Sequence, residues 1–219
     1  MIETINWRDL PFMAGNRLFL DYVEGSARAL SYYSHGPTDY KAALEARSAY
    51  AYPRTAAADL LKRYNRSLGA SQITLANIAA LGEPDVYCVV GGQQAGFLGG
   101  PAYVAYKIDC TIQLAHRLSD ELGVRVVPVF WLAGEDHDFG EVNHAHYVQA
   151  DGEIGRVSFD WSGKGRPIAD MPVTEQVEAA LETYWSSANA GLHAERTRAL
   201  TAPSSERYCD WLGALWLKL

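Results

Sequence analysis

Two short apolar segments, each running directly into glycine and polar residues, constrain the fold of this chain most. The first covers residues 86–90 and leads into a loop with glycines at positions 91, 92, 96, 99 and 100. The second covers residues 124–132 and leads into Gly134-Glu135-Asp136-His137-Asp138. Residues 101–122 between them have helical apolar spacing, with Pro101 in the first turn and Gly123 at the end. This order predicts a βαβ unit, and hence an α/β fold with a parallel sheet flanked by helices.

The chain is predicted to divide into three parts: residues 1–84 as an N-terminal arm and helices that pack on the core, 85–150 as the βαβ core, and 151–219 as a small hairpin, loop and helical insertion. Within these parts we expect helices at residues 53–66 and 73–81, a hairpin turning at Asp151-Gly152, and a helix capped by Thr174. A final apolar helix from Ser204 has no stop signal, so we expect the chain either to be cut there or to finish against a partner.

Composition narrows the class of protein. With 219 residues, 48% of them hydrophobic, the chain can bury a sizeable core, and its formal charge of −7 argues against nucleic acid as a partner. Its apolar runs are too short to span a membrane, and a signal-peptide pattern is missing at the N-terminus. Three separated cysteines are typical of reduced thiols in a cytoplasmic protein, and Cys88 is expected to lie in the core.

The glycine loop is a candidate ligand site, although its spacing fits neither standard nucleotide-binding fingerprint. The neutral amides of Gln93 and Gln94 suit a sugar, amide or carboxylate, and the following helix N-terminus suits an anion. Lys107 lies in the next helix, where its ammonium would point back toward the loop. The alternatives are a tight structural turn and a lysine that extends to solvent from the helix edge.

The acidic run after the second segment is the strongest chemical signal. Glu135, Asp136 and Asp138 surround His137, and such groups repel and desolvate one another unless a ligand or cation compensates. At the carboxyl end of a strand they suit proton transfer or Mg²⁺ binding. The alternatives are a solvated acidic loop and a zinc site that includes the His144-x-His146 pair.

These residues carry a family resemblance. The glycine loop with Lys107, and Pro128 through Asp138 with Glu141 and His144, closely resemble the cysteine-adding enzymes of bacillithiol biosynthesis. The resemblance implies that this chain is the N-terminal portion of a longer one, whose later core strands and coiled coil would follow Leu219. It implies a Rossmann-like core and a homodimer.

The same resemblance implies a ligase that joins L-cysteine to the amino group of glucosaminyl malate in the last step of bacillithiol biosynthesis. The cysteine would be activated by ATP with Mg²⁺ or in another way without a cofactor. The His-Ile-Gly-His tetrad of class I aminoacyl-tRNA synthetases is not present in the glycine loop. The rival readings are a metal-dependent hydrolase that uses His137, His144 and His146, and a non-catalytic fragment that binds a ligand or partner.

On this hypothesis Asp136, His137 and Asp138 are catalytic, because the attacking amine must be oriented and must lose a proton. No residue is assigned to a metal, and the partners are small molecules rather than nucleic acid or membrane. The substrate-binding residues are predicted to be Gln93, Gln94, Gly96, Gly99, Gly100, Lys107, Glu135, Asn143 and His144. The hypothesis requires that two parallel strands bring the Gln-Gln turn and the acidic run into one crevice.

Overall fold

A computed structural model describes residues 5–163, 165–188 and 191–219. The chain forms two compact units, Met1–Tyr52 and Pro53–Leu219. The first unit contains the helices α1 (Arg17–Val23), α2 (Ala27–Leu30) and α3 (Tyr40–Ser48), after the 3-10 turns Trp7–Asp9 and Pro11–Met13. Asn16 and Ser26 cap α1 and α2 by accepting backbone N–H groups of the first turn. The division predicted from the sequence, with boundaries at residues 84 and 150, remains a prediction.

The second unit opens with the predicted pair of helices, α4 (Arg54–Ser67) and α5 (Gln72–Ala80). They pack against each other, and Ser71 caps α5 through a hydrogen bond from the Thr74 N–H. Both helices begin and end within a residue or two of the predicted bounds. The first strand of the sheet follows them and begins at residue 86.

The predicted βαβ unit is present. Strand β1 (Val86–Gln93) pairs in parallel with β2 (Arg125–Leu132), and α6 (Tyr103–Leu122) connects them and packs on both. Gly123 ends α6 in the left-handed conformation, with φ 64°. At Gly91 the helix approaches so closely that an added Cβ would lie 2.3 Å from Thr111 Oγ1. The fold class read from the sequence, α/β with a parallel sheet, is therefore confirmed.

Burial of the sheet differs from the prediction. The almost continuous apolar run of residues 124–132 predicts a strand buried on both faces. In the structure, however, Trp131 of β2 is 56% exposed, and Val90 on the same face of β1 is 58% exposed. The cause is that α6 covers one face, whereas Ala80 from α5 meets the other face only near its start, at Val86 and Val127.

The chain then forms α7 (Phe139–Val142) and the predicted hairpin, in which β3 (His144–Val148) pairs antiparallel with β4 (Ile154–Ser158). Gly152 supplies the left-handed residue of the turn, with φ 89°. Helix α8 (Glu175–Ser187) follows and packs on β4, and Thr174 caps it as predicted. Helix α9 (Ala194–Thr201) leads to the last helix, α10 (Tyr208–Lys218).

Helix α10 is the centre of the main core. It starts four residues later than predicted, and Tyr208, Trp211, Leu212 and Leu215 are at most 2% exposed. The apolar side chains that suggested a partner surface are therefore buried inside the second unit. In the part of the chain that the structure describes, no helix is both long and apolar enough to cross a membrane.

The cysteines give a direct test of this packing. The expectation that Cys88 lies in the core is wrong, because it sits on the uncovered face of β1 and is exposed, as is Cys110. Burial raises the pKa of Cys209 to about 11, so its thiolate is scarce at neutral pH. We expect Ellman's reagent to label two thiols of the native protein rapidly and the third only after unfolding. Equal labelling rates for all three cysteines would contradict this arrangement.

Candidate functional site

The glycine loop and the acidic run meet at the carboxyl edge of the sheet. The parallel register places Gln93 beside Leu132, so β1 and β2 end at the same level. The pairing continues one residue further, since the Ala133 N–H donates to the Gln93 carbonyl at 2.9 Å. Neighbouring strands therefore bring the Gln-Gln turn and the acidic run to one edge of the sheet, as predicted, and the single crevice that the hypothesis requires stays a prediction. Ligands of α/β proteins collect at this edge of the sheet.

A continuous chain of hydrogen bonds joins α6 to Glu141 in α7, just after the acidic run. Lys107 Nζ donates to Gln93 Oε1 at 2.8 Å, and Gln93 Nε2 donates to Gln94 Oε1 at 2.6 Å. Gln94 Nε2 in turn donates to the Glu141 carboxylate. Because each amide uses its oxygen and its nitrogen in sequence, the two glutamines are held in fixed orientations. We call Lys107, Gln93, Gln94 and Glu141 the glutamine relay.

Lys107 lies at the exposed end of this relay. Its ammonium also donates to the Gly92 carbonyl at 3.0 Å and lies 5.7 Å from the centre of the Tyr103 ring. An ammonium has three donors, and both oxygens that it contacts are uncharged. Lys107 therefore keeps one donor for an anionic group at the strand ends.

The backbone of the acidic run is anchored from the far side. The Gly134 carbonyl accepts the Ala169 N–H at 2.7 Å, and the Asp136 carbonyl accepts the Ile168 N–H at 2.8 Å. Gly134 is buried, and an added Cβ would lie 3.1 Å from Cys209 Sγ on α10. The run is thus fixed to the core through its main chain, which leaves its side chains directed to the surface.

Asp136 is held in its ionised form. Its pKa lies below the ordinary value, mainly because the Asp138 N–H donates to its carboxylate at 2.9 Å. The His137 main chain and imidazole and the Gln94 amide lower that pKa further. His137 and Asp138 themselves are exposed. The three residues predicted to be catalytic are therefore together at this edge, with Gln94 in reach of Asp136.

Sequence reasoning left two members of the site out of its list. Glu141 receives the Gln94 amide, and Trp131 Nε1 donates to the Glu135 carboxylate at 3.1 Å. Glu135, predicted to bind substrate, is thus engaged with an exposed indole. The signal that could have found Glu141 is its position beside the acidic run, at the start of the short helix α7.

The glycines of the loop are explained by packing. A Cβ on Gly96 would lie 2.7 Å from the Gly100 Cα, and one on Gly99 would lie 3.0 Å from the Trp216 ring. Gly99 and Gly100 also have φ of 90° and 82°. The tight structural turn is therefore present, and a substrate-binding role for Gly96, Gly99 and Gly100 remains a prediction.

Asn143 and His144 hold the start of the hairpin. The Asn143 amide donates to the Phe159 carbonyl at 3.0 Å, and its oxygen lies 3.3 Å from His144 Nδ1. Burial, followed by the charges of Arg156 and His146, lowers the pKa of His144. These contacts stabilise the start of the hairpin, and binding of substrate by Asn143 and His144 remains a prediction.

The arrangement does not favour a zinc centre. The His144 and His146 rings lie 5.3 Å apart and nearly perpendicular, on the hairpin. Among the described residues, no group of three or more His, Cys, Asp or Glu side chains is placed to hold a metal ion. A surface depression of about 510 Å³ on α4 is lined by Asp59, Lys62, Arg63, Arg66 and Ser67, none of which belongs to the glutamine relay.

Comparison with known proteins points to one family. Residues 3–219 match the family model described as "Bacillithiol biosynthesis BshC, N-terminal Rossmann-like domain". The chain is 39% identical over 186 residues to the "Putative cysteine ligase BshC" of Geobacillus thermodenitrificans. The aligned residues make up 81% of this chain and 34% of that relative. The protein of the same name from Geobacillus kaustophilus is 40% identical over 187 residues, with the same shares of both chains.

A third relative of that name, from Symbiobacterium thermophilum, is 45% identical over 137 residues, or 62% of this chain and 24% of the relative. The chain thus spans about a third of the length of the Geobacillus relatives, 34% in both.

Proposed function

The chain belongs to the BshC family of bacillithiol biosynthesis, and on that premise we propose that it forms the N-terminal part of a cysteine ligase. The reaction would join the carboxyl group of L-cysteine to the amino group of glucosaminyl malate, as the last step toward the thiol. One observation carries the proposal: the glutamine relay and the run from Glu135 to Asp138 converge on one edge of the parallel sheet. The same edge offers a cation, neutral amides, carboxylates and an imidazole.

The chemistry of amide formation assigns the tasks. The substrate amine must lose a proton so that its nitrogen can attack the cysteine carbonyl carbon. As the C–N bond forms, a C–O bond of the cysteine carboxyl breaks, and that oxygen would leave with the phosphoryl or adenylyl group supplied by ATP. We assign the proton to His137, whose exposed ring lies beside an ionised Asp136. Asp136 would stabilise the imidazolium, and Asp138 would orient the amine through its exposed carboxylate.

The relay would recognise the acidic part of the substrates. Lys107 has a donor left for a carboxylate, such as those of malate, and the glutamine amides suit the hydroxyl groups of the sugar. In the structure, Glu135 and Glu141 accept hydrogen bonds from Trp131 and Gln94. They would therefore shape the site rather than bind substrate directly.

ATP with Mg²⁺ is the cofactor that the resemblance implies. The fit for Mg²⁺ is poor, because the described residues include no group of three or more His, Cys, Asp or Glu side chains placed to hold a metal ion. The same observation disfavours the metal-dependent hydrolase. The roles assigned above therefore use only the side chains of this chain.

A direct assay tests the proposal. The chain, extended to the length of its curated relatives, is incubated with glucosaminyl malate, L-cysteine and ATP, and the products are resolved by mass spectrometry. We expect a new thiol with the mass of the two substrates joined with loss of one water, and none when L-serine replaces cysteine. Hydrolysis of glucosaminyl malate without any joined product would instead support the hydrolase.

A further inference from the structure

The sheet has an apolar surface on the face that α6 does not cover. A Cβ on Gly91 would lie against Thr111 of α6. Side chains alternate between the two faces along a strand, so Gly92 and its partner in the register, Trp131, belong to the opposite face. Val90 shares that face, and both Val90 and Trp131 are more than half exposed. This apolar surface therefore lies at the carboxyl end of the sheet, directly beside the candidate site.

The indole of Trp131 has a fixed orientation on this surface. Its Nε1 donates to both carboxylate oxygens of Glu135, at 3.1 Å and 3.3 Å. Across the strands, a Cβ on Gly92 would lie 3.2 Å from the Trp131 Cβ, so a side chain at position 92 would compete with the indole for space. An exposed aromatic ring that is held in this way offers a ligand a rigid, flat contact surface at a low cost in conformational entropy.

Gly92 also connects the apolar surface to the glutamine relay. Its carbonyl accepts the Lys107 ammonium at 3.0 Å, and the same residue lies against Trp131. A cation and an aromatic ring thus flank one backbone residue. A ligand that contacts both needs an anionic group next to an apolar surface. A pyranose that carries a carboxylate has both, because the C–H groups on one face of the sugar ring make that face apolar.

We propose that Trp131 is a specificity-determining residue, whose indole stacks on the apolar face of the substrate's sugar ring, and that Glu135 is the positioning residue that holds this indole. The inference rests on the proposed function, because it assigns the contact of the glucosamine ring within that same site. The malate carboxylates then lie toward Lys107, on the other side of Gly92. Glu135 acts through Trp131 and does not touch the substrate.

Binding of the whole substrate and of its anionic part alone tests the stacking contact. Isothermal titration calorimetry of the extended chain measures the dissociation constants of glucosaminyl malate and of malate. We expect Trp131→Ala to raise the first constant roughly tenfold or more and to leave the second within about twofold, because malate does not reach the indole. Trp131→Phe keeps an aromatic ring and should stay within about threefold of the original for both.

Trp7→Ala is the matched control. It removes an indole that is 49% exposed in the first unit, and it should change neither dissociation constant. If Trp131→Ala binds glucosaminyl malate as tightly as the original chain, or weakens malate equally, the stacking contact is wrong. If the original extended chain does not bind glucosaminyl malate at all, the proposed function fails as well, so the two failures are distinguishable.

A second set of variants tests the task of Glu135. Glu135→Ala frees the indole and should weaken binding of glucosaminyl malate roughly threefold or more, whereas Glu135→Gln keeps an oxygen that accepts the indole N–H and should restore the original affinity. In the Trp131→Phe background, which lacks that N–H, Glu135→Ala should have no further effect. An equal loss in both backgrounds would overturn the positioning role.

Discussion

Asp136→Asn in the extended chain is expected to lower the rate of cysteine addition by at least about a hundredfold, the range in which positioned acid–base groups contribute. The substitution keeps the side-chain oxygen that accepts the Asp138 N–H at 2.9 Å, so the loop conformation is retained. What is lost is the negative charge beside His137. His137→Ala removes the proposed proton acceptor itself, and the double variant should be little slower than His137→Ala alone, because the two groups act as one unit.

Asp151 provides a matched control. Its carboxylate also accepts the N–H of the residue two positions later, Glu153, at 3.1 Å, but in the hairpin turn. Asp151→Asn therefore makes the same chemical change in the same local geometry away from the sheet edge, and its rate should stay within twofold of the original, roughly. A wild-type rate for Asp136→Asn would remove Asp136 from the mechanism, and an equal loss for Asp151→Asn would indicate a general effect on folding.

The sequence was sufficient to predict the βαβ unit because its signals are local. Pro101 and Gly123 mark the ends of a helix, and the apolar segments on either side are short enough for strands. A right-handed crossover between two such strands leads to a parallel pair whose carboxyl ends share one edge. The meeting of Gln94 with the acidic run followed from that connectivity.

What the sequence could not provide depends on contacts between distant segments. The bond from Gln94 to Glu141 spans 47 positions, and nothing local to Glu141 indicates which side chain it will meet. Exposure of Cys88 depends on how far α5 extends over the sheet, and an apolar strand pattern contains no information about that extent. The bonds that anchor Gly134 and Asp136 to residues 168 and 169 also join distant segments, so the local sequence could not predict them.

Trp211→Ala is expected to destabilise the second unit by about 3–5 kcal/mol, the cost typical of truncating a buried tryptophan. Trp211 is 1% exposed, packs on Tyr208 at 5.6 Å and on Phe97 of the glycine loop at 6.3 Å, and donates its indole N–H to the Thr201 carbonyl. The variant leaves both a cavity and an unpaired buried carbonyl. Urea denaturation measures the change in the free energy of unfolding.

The comparison variant is Trp131→Ala, which removes an indole that is 56% exposed and should cost at most about 1 kcal/mol. Equal losses for the two variants would mean that α10 is not the centre of the core. The difference also matters for the site, because α10 contacts the loop from below: Trp211 meets Phe97, and the Trp216 ring lies against Gly99. The glycine loop is therefore held in place by the last helix, and a substitution that loosens α10 should weaken substrate binding as well as stability.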